Sequence, residues 1–233
     1  MAVKRKETIE CPYCDHKQEF ESYENIELSQ DKDIRTKIIN EELFSFACEE
    51  CGKKAIIAFP CLFSDMDKKM LIWLIGDYTE DQKAALDDDL ASSALSDAEK
   101  KFADNYQKRI VGSINELKEK ILIAEDDLDD RVVEVLKMLC INEVIDQLMH
   151  LTLQEVRYNK TDSGQKFLVL VFAEKEPSMI EITMDMYNTV KDMFMDDIIE
   201  ATPKEGFAEI NAFWAKALIE ANAEKSEEAE KLN

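Results

Sequence analysis

Along the first third of the chain, apolar and polar residues alternate in short runs. Thr8-Ile9-Glu10, Glu19–Leu28, Phe44-Ser45-Phe46-Ala47 and the stretch 54–63 have the period of two expected of half-buried strands. Met70–Ile75 is apolar throughout, long enough for a buried strand and far short of the roughly 18 residues a membrane helix needs. Between these runs, Ile34 and Ile38 share one face of a short predicted helix, Asp31–Ile39, for which Ser29 is the expected N-cap.

The period then changes. From Asp77 to Asp104 the chain is rich in alanine and aspartate, and Leu86, Leu90 and Leu95 are its thinly spread apolar positions, so a weakly helical connection is predicted. Arg109-Ile110-Val111 reads as a short strand. Ser113 and Glu116 form a capping box opening a helix with Ile114, Leu117, Ile121 and Leu122 on one face. Asp126 and Asp127 are expected to cap a second helix, Leu128–Leu148, completing a helical hairpin. Leu153–Asn159 and Lys166–Phe172 flank Thr161-Asp162-Ser163-Gly164 as a β-hairpin, and Ser178–Ile182 adds a third strand. Met184–Ile199 and Ala208–Ala223 are helical, their methionine and aromatic stripes reading as core. Phe213 and Trp214 become partner or dimer contacts wherever the last helix exposes them.

The pattern therefore predicts an α+β chain. A β-rich domain spans 1–75, an acidic linker 76–105, and a mixed domain 106–223 holds the helical hairpin, a small antiparallel sheet and C-terminal helices. Residues 224–233 form a polar tail expected to fray.

Two cysteine pairs add chemistry to the first domain: Cys11-Pro12-Tyr13-Cys14 and Cys48-Glu49-Glu50-Cys51-Gly52. Each puts two thiols on one tight turn, and four thiolates complete a tetrahedral zinc site, so the domain is expected to be zinc-ribbon-like with Zn²⁺ bound by Cys11, Cys14, Cys48 and Cys51. Disulfides or a redox dithiol are the alternatives. Four thiolates leave no open coordination position, which makes such a metal structural. Gly52 follows the second pair where a left-handed residue is needed; Asp15 stands at the matching place and predicts a strained or differently shaped first turn. Cys61 and Cys140 lie in apolar runs and read as small buried hydrophobes.

Charge narrows the partners. The 233 residues include 29 Lys and Arg against 51 Asp and Glu, a formal net charge of −22. Phosphate binding depends on basic side chains, and only Lys4-Arg5-Lys6 and Lys53-Lys54 cluster, so nucleic acid is disfavoured and a protein partner favoured. No signal segment or membrane-length apolar run is visible, so the expected location is the cytoplasm, where free thiols persist. A homo-oligomer remains open.

The run Glu125-Asp126-Asp127-Leu128-Asp129-Asp130 invites a catalytic or hard-metal reading. It lacks the calcium-loop pattern, and carboxylates in a first helical turn complement the helix dipole. Only His16 and His150 are present, and no phosphate-binding glycine loop or H-E-x-x-H motif occurs. A nonenzymatic structural zinc-binding protein, serving as an interaction or adaptor module, is the favoured function. An enzyme with a carboxylate-lined site at 125–130, or a nucleic-acid-associated ribbon, is the alternative.

Taken together, the two knuckles, Glu42–Cys48, Asp65–Trp73 and Glu116–Leu117 through Leu128–Lys137 resemble the CpXC-domain family of prokaryotic proteins, over most of residues 8 to 200. The family is named for paired Cys-Pro-x-Cys motifs and has no assigned activity. The resemblance therefore implies a bacterial, metal-binding protein and no substrate. Cys11, Pro12 and Cys14 match its first motif. Cys48 and Cys51 match the second, with Glu49 where proline is usual, and His16, after the departure at Asp15, reads as an exposed loop histidine, with support of the metal from behind the ligands as the alternative.

Overall fold

In the computed structural model, which describes residues 3–76, 78–91, 104–148 and 150–231, the long alternating run of the N-terminus becomes a hairpin, β1 (Val3–Glu10) and β2 (Lys17–Glu27). Phe20, Ser22, Tyr23 and Ile26 are buried on β2, whereas β1 is almost wholly exposed and is held at its surface by Lys4–Glu21, Arg5–Glu24 and Lys6–Glu19 ion pairs. Next come α1 (Lys32–Ile39), a 3₁₀ turn at Glu42–Phe44, the two-stranded sheet β3 (Ser45–Ala47) and β4 (Lys54–Ile56), then β5 (Cys61–Asp65) and β6 (Met70–Leu74). After α2 (Glu80–Ala91), β7 (Gln107–Val111) pairs in parallel with β6 and completes a sheet of order β1-β2-β5-β6-β7.

The described chain divides into two units: residues 1–118 with 205–208, and residues 119–204 with 209–233. The strand expected at Arg109–Val111 thus belongs to the N-terminal sheet instead of opening the second domain, because Trp73 and Ile110 place two apolar strands in register. The helix α2 forms within the span expected to be a linker; residues 92–103 of that span lie outside the described residues.

Two apolar clusters support the first unit. Phe20, Tyr23, Phe44, Phe46 and Phe59 meet at ring-centroid distances of 5.3–6.3 Å. The second cluster is Leu71, Ile110 and Phe207, packed against Trp73 and Leu86. Phe207 arrives from far along the sequence: Ala208 bridges Arg109, its N–H donates to Lys108 C=O and its own C=O accepts from Ile110 N–H. Gly206, at φ +70°, lies so close to the Asp87 carboxylate that a Cβ would collide with it, and the same carboxylate accepts the Phe207 N–H at 2.7 Å. The last helix therefore does not begin at Ala208.

Caps were misplaced by the pattern in two other places. Asp31, not Ser29, caps α1 by accepting from Ile34 N–H at 3.0 Å, while the Ser29 hydroxyl turns back to Glu27. Glu27 also takes bonds from Ser64 Oγ and Met66 N–H, so one carboxylate ties β2 to β5. Burial opposes its charge, but the Ser29, Ser64 and Met66 donors prevail and hold its pKa below the usual carboxylate range.

The second unit contains α3 from Glu119 onward (Ile114–Glu125 in full), α4 (Asp130–Leu148), the antiparallel sheet β8 (Leu153–Lys160), β9 (Lys166–Phe172) and β10 (Ser178–Glu181), and the helices α5 (Met184–Ala201) and α6 (Ala212–Lys231). The helix α4 starts two residues later than expected: Asp127 takes a left-handed turn at φ 54°, and Asp129 caps by accepting Arg131 N–H at 3.0 Å. Thr183 caps α5 and Asn211 caps α6. The helix α6 runs through the supposed tail to Lys231, with Lys225 paired to Asp197 and Glu200. No helix among the described residues is long and apolar enough to cross a membrane.

Candidate metal centre

The four cysteines sit at the tips of two hairpins. Register pairs Glu10 with Lys17 and Ala47 with Lys54, so residues 11–16 and 48–53 are equivalent six-residue loops. Their main-chain bonds are equivalent too. Cys11 N–H donates to His16 C=O at 2.8 Å and Cys48 N–H to Lys53 C=O at 3.0 Å; Asp15 N–H returns to Cys11 C=O at 3.0 Å and Gly52 N–H to Cys48 C=O at 2.9 Å. Asp15 and Gly52 both take left-handed backbones, at φ 57° and 69°. The expected difference at Asp15 is therefore absent: aspartate is among the few L residues that adopt this region at modest cost.

Folding the loops this way brings all four sulfurs within 4.8 Å of one another. Across the loops, Cys11 Sγ lies 3.8 Å from Cys51 Sγ and Cys14 Sγ 3.6 Å from Cys48 Sγ, and all four thiols are free. Thiolate–metal bonds of about 2.3 Å in a tetrahedron require sulfurs about 3.8 Å apart. The cluster is thus geometrically capable of coordinating one metal ion. Cys11 and Cys48 form its buried side, and Cys14 and Cys51 its exposed side.

Backbone donors favour charge on the sulfurs. Tyr13 N–H points at Cys11 Sγ at 3.4 Å and Cys51 N–H at Cys48 Sγ at 3.5 Å. Donation from Cys51 and Glu50 holds Cys48 at about 6, against the effect of burial. Cys14 is pushed up to about 12; His16 main chain favours its thiolate, but desolvation and the surrounding thiols of Cys51, Cys48 and Cys11 override it. Cys48 thus forms a thiolate readily whereas Cys14 resists it, and a divalent cation at the centre would favour the charged form of both.

Two contacts that spacing does not reveal hold the loops together. The Gln18 carboxamide donates to Ala47 C=O at 3.1 Å and accepts from Glu49 N–H at 2.9 Å, joining the base of one loop to the other. Lys53 Nζ lies 4.9 Å from the centroid of the Tyr13 ring. Nothing in the period or composition of β2 marks Gln18 for this task. His16 contributes its backbone carbonyl; His150 lies exposed on a turn.

Cys61 and Cys140 are buried, as their apolar runs suggest, and burial pushes the Cys61 thiol up to about 12 and raises that of Cys140. In the second unit the acidic run is drawn into local ion pairs. Asp126 meets Lys160 at 2.8 Å and accepts from Tyr158 Oη, Asp129 meets Arg131 at 2.6 Å, and Asp130 meets Lys120 at 2.9 Å. These carboxylates diverge to different cations.

Comparison with known proteins finds one family: the model described as CpXC protein matches residues 9–137, more than half of the chain and all four clustered cysteines. No curated protein and no solved structure matches.

Proposed function

The chain belongs to the CpXC protein family, and on that premise we propose that Cys11, Cys14, Cys48 and Cys51 hold a structural Zn²⁺ that closes a zinc-ribbon-like module for binding another protein. The inter-loop sulfur distances of 3.8 and 3.6 Å support this reading most directly, because they match the edge of a zinc tetrathiolate tetrahedron. An all-sulfur tetrahedral donor set suits zinc, and its closed shell favours a structural task over a catalytic one. The centre supplies no reaction here; the residues around it align two hairpins.

A protein partner fits the charge better than nucleic acid does. Lys4, Arg5 and Lys6 are each engaged by a glutamate, which leaves little free positive charge at the cluster most suited to phosphate. The divergent ion pairs of residues 125–130 favour a structural role for that run. A cytoplasmic location is consistent with six unpaired cysteines.

Elemental analysis of protein purified under reducing, metal-replete conditions tests the reading. About one zinc per chain is expected, with strong loss in Cys11→Ser and in Cys51→Ser. A folded wild-type protein without bound zinc refutes it.

A further inference from the structure

An open cleft of 450 Å³ separates β2 from β3. Consecutive residues of both strands line it, Gln18 to Glu21 on one side and Ser45 to Ala47 on the other. Successive side chains of a strand point to opposite faces, so a space bordered by an unbroken run of residues lies along the edge of that strand. Both edges are open. β2 pairs with β1 along one side, but with β5 along the other only from Asn25 to Glu27, and among the described residues no strand pairs with that second side between Lys17 and Glu24. Among the described residues β3 pairs with β4 alone.

Beneath the cleft, Phe20 and Phe46 meet edge to face at 6.3 Å, giving it an apolar floor. At its end near the cysteine loops, the two Gln18 bonds to Ala47 C=O and Glu49 N–H straddle Cys48, as the main chain of a neighbouring strand does. A side-chain amide thus already stands in for a peptide group against β3. Because Ala47 C=O faces this way, the alternation of an antiparallel pair turns Ala47 N–H and Ser45 C=O toward the cleft as well.

The lining is acidic on balance: Glu19, Glu21 and Glu42 against Lys37. Glu19 and Glu21 share their charge with Lys6 and Lys4 on β1, whereas Glu42 is exposed and receives an amide bond from Asn40 at 3.4 Å. We propose that the cleft receives an extended segment of a partner protein, added as a strand between β2 and β3, with Lys or Arg side chains directed at Glu42 and the acidic rim. Main-chain bonds to the open edges supply affinity, the phenylalanine floor accepts inward-facing apolar side chains, and the chain's net charge of −22 favours a basic segment. This rests on the protein-binding reading above and names its surface and partner chemistry.

The test titrates full-length zinc-loaded protein with the peptide Ac-Val-Lys-Val-Lys-Val-Lys-NH₂, following backbone amides by NMR. Shifts confined to the cleft lining, residues 17–23, 37 and 42–49, are expected, with binding at least tenfold weaker for the same peptide N-methylated at alternate residues and for its Val-Glu counterpart. Glu42→Lys should weaken binding of the lysine peptide with zinc content unchanged. Ala47→Pro, which removes a cleft-facing donor, should abolish it; if that variant loses zinc, the peptide controls and Glu42→Lys decide. No shifts along the cleft at millimolar peptide, shifts elsewhere, or equal binding of the N-methylated peptide overturns the proposal. Zinc analysis of the same samples separates this failure from failure of the metal reading.

Discussion

Gln18 spans from β2 to the backbone on either side of Cys48 with bonds of 3.1 and 2.9 Å, so it sets how closely the second cysteine loop approaches the first. Residues that orient a ligand typically change metal affinity about 10–100-fold when lost. Gln18→Leu, which removes both bonds at similar size, should weaken zinc binding by that factor in competition with a chromophoric chelator. It should also shift the absorption bands of the cobalt-substituted protein, a change that general loss of stability would not produce. Gln18→Glu keeps the acceptor for Glu49 N–H and should fall between the two; unaltered affinity in Gln18→Leu would refute the positioning role. The four cysteines themselves were legible because C-x-x-C is a local signature. Gln18 was not, since its partners lie about 30 residues away and only the fold brings them near.

Among the elements, α4 shows how charge is managed where a helix buries its first two turns. Val132, Val133, Val135, Leu136 and Cys140 are buried, and so are Asp130, Glu134 and Lys137. Lys137 Nζ meets Glu119 at 3.0 Å and Glu134 at 2.8 Å, while Lys120 Nζ meets Asp130 and donates to Ile210 C=O. Burial works against the Lys137 charge, but the two carboxylates outweigh it and raise its pKa. Glu134 is raised by burial and by the Glu119 charge. Two carboxylates thus share one ammonium, and the members are not equally replaceable. Lys137→Met leaves two acids without their cation and should cost the second unit about 3–5 kcal/mol in denaturant unfolding. Glu134→Gln removes the surplus negative charge and keeps an acceptor for Lys137, so it should cost far less. Equal losses would contradict this account of the triad. The apolar period of α4 announced a helix, but Glu134 and Lys137 at i,i+3 look the same in sequence as a solvated surface pair. The choice of Asp129 over Asp126 or Asp127 as cap depends on the left-handed turn at Asp127, which the acidic run does not betray.

For the molecule as a whole, the α+β class, the β-rich N-terminus, the β8–β9 hairpin and the C-terminal helices followed from periodicity. The partition into units did not, because Glu205–Ala208 joins the first unit through Phe207 and the bridge to Arg109, contacts that no local pattern encodes. Each unit holds one tryptophan, Trp73 in β6 and Trp214 in α6, where the Trp214 indole N–H donates to Ala201 C=O at 3.2 Å. Phe213 beside it is 85% exposed, so the two aromatics that sequence grouped together have different surroundings. If zinc organises the first unit only, chelation under reducing conditions should change the emission of Trp73 in a Trp214→Phe variant and leave that of Trp214 in a Trp73→Phe variant nearly unaltered. Matching responses from both tryptophans would show that the metal supports the whole chain.

The short return of Glu205–Ala208 also limits how this protein can be dissected. A fragment cut after Lys118 would keep all four clustered cysteines and every strand from β1 to β7, yet it would lack the phenyl ring that fills the space beside Leu71 and Ile110. Its β7 would end the sheet with the Ile110 N–H that Ala208 C=O had accepted left unpaired, an apolar, adhesive edge prone to self-association. Supplying residues 205–208 on a short linker is the remedy the structure suggests. Gly206 must be kept in that graft, because the Asp87 carboxylate occupies the place of any larger residue.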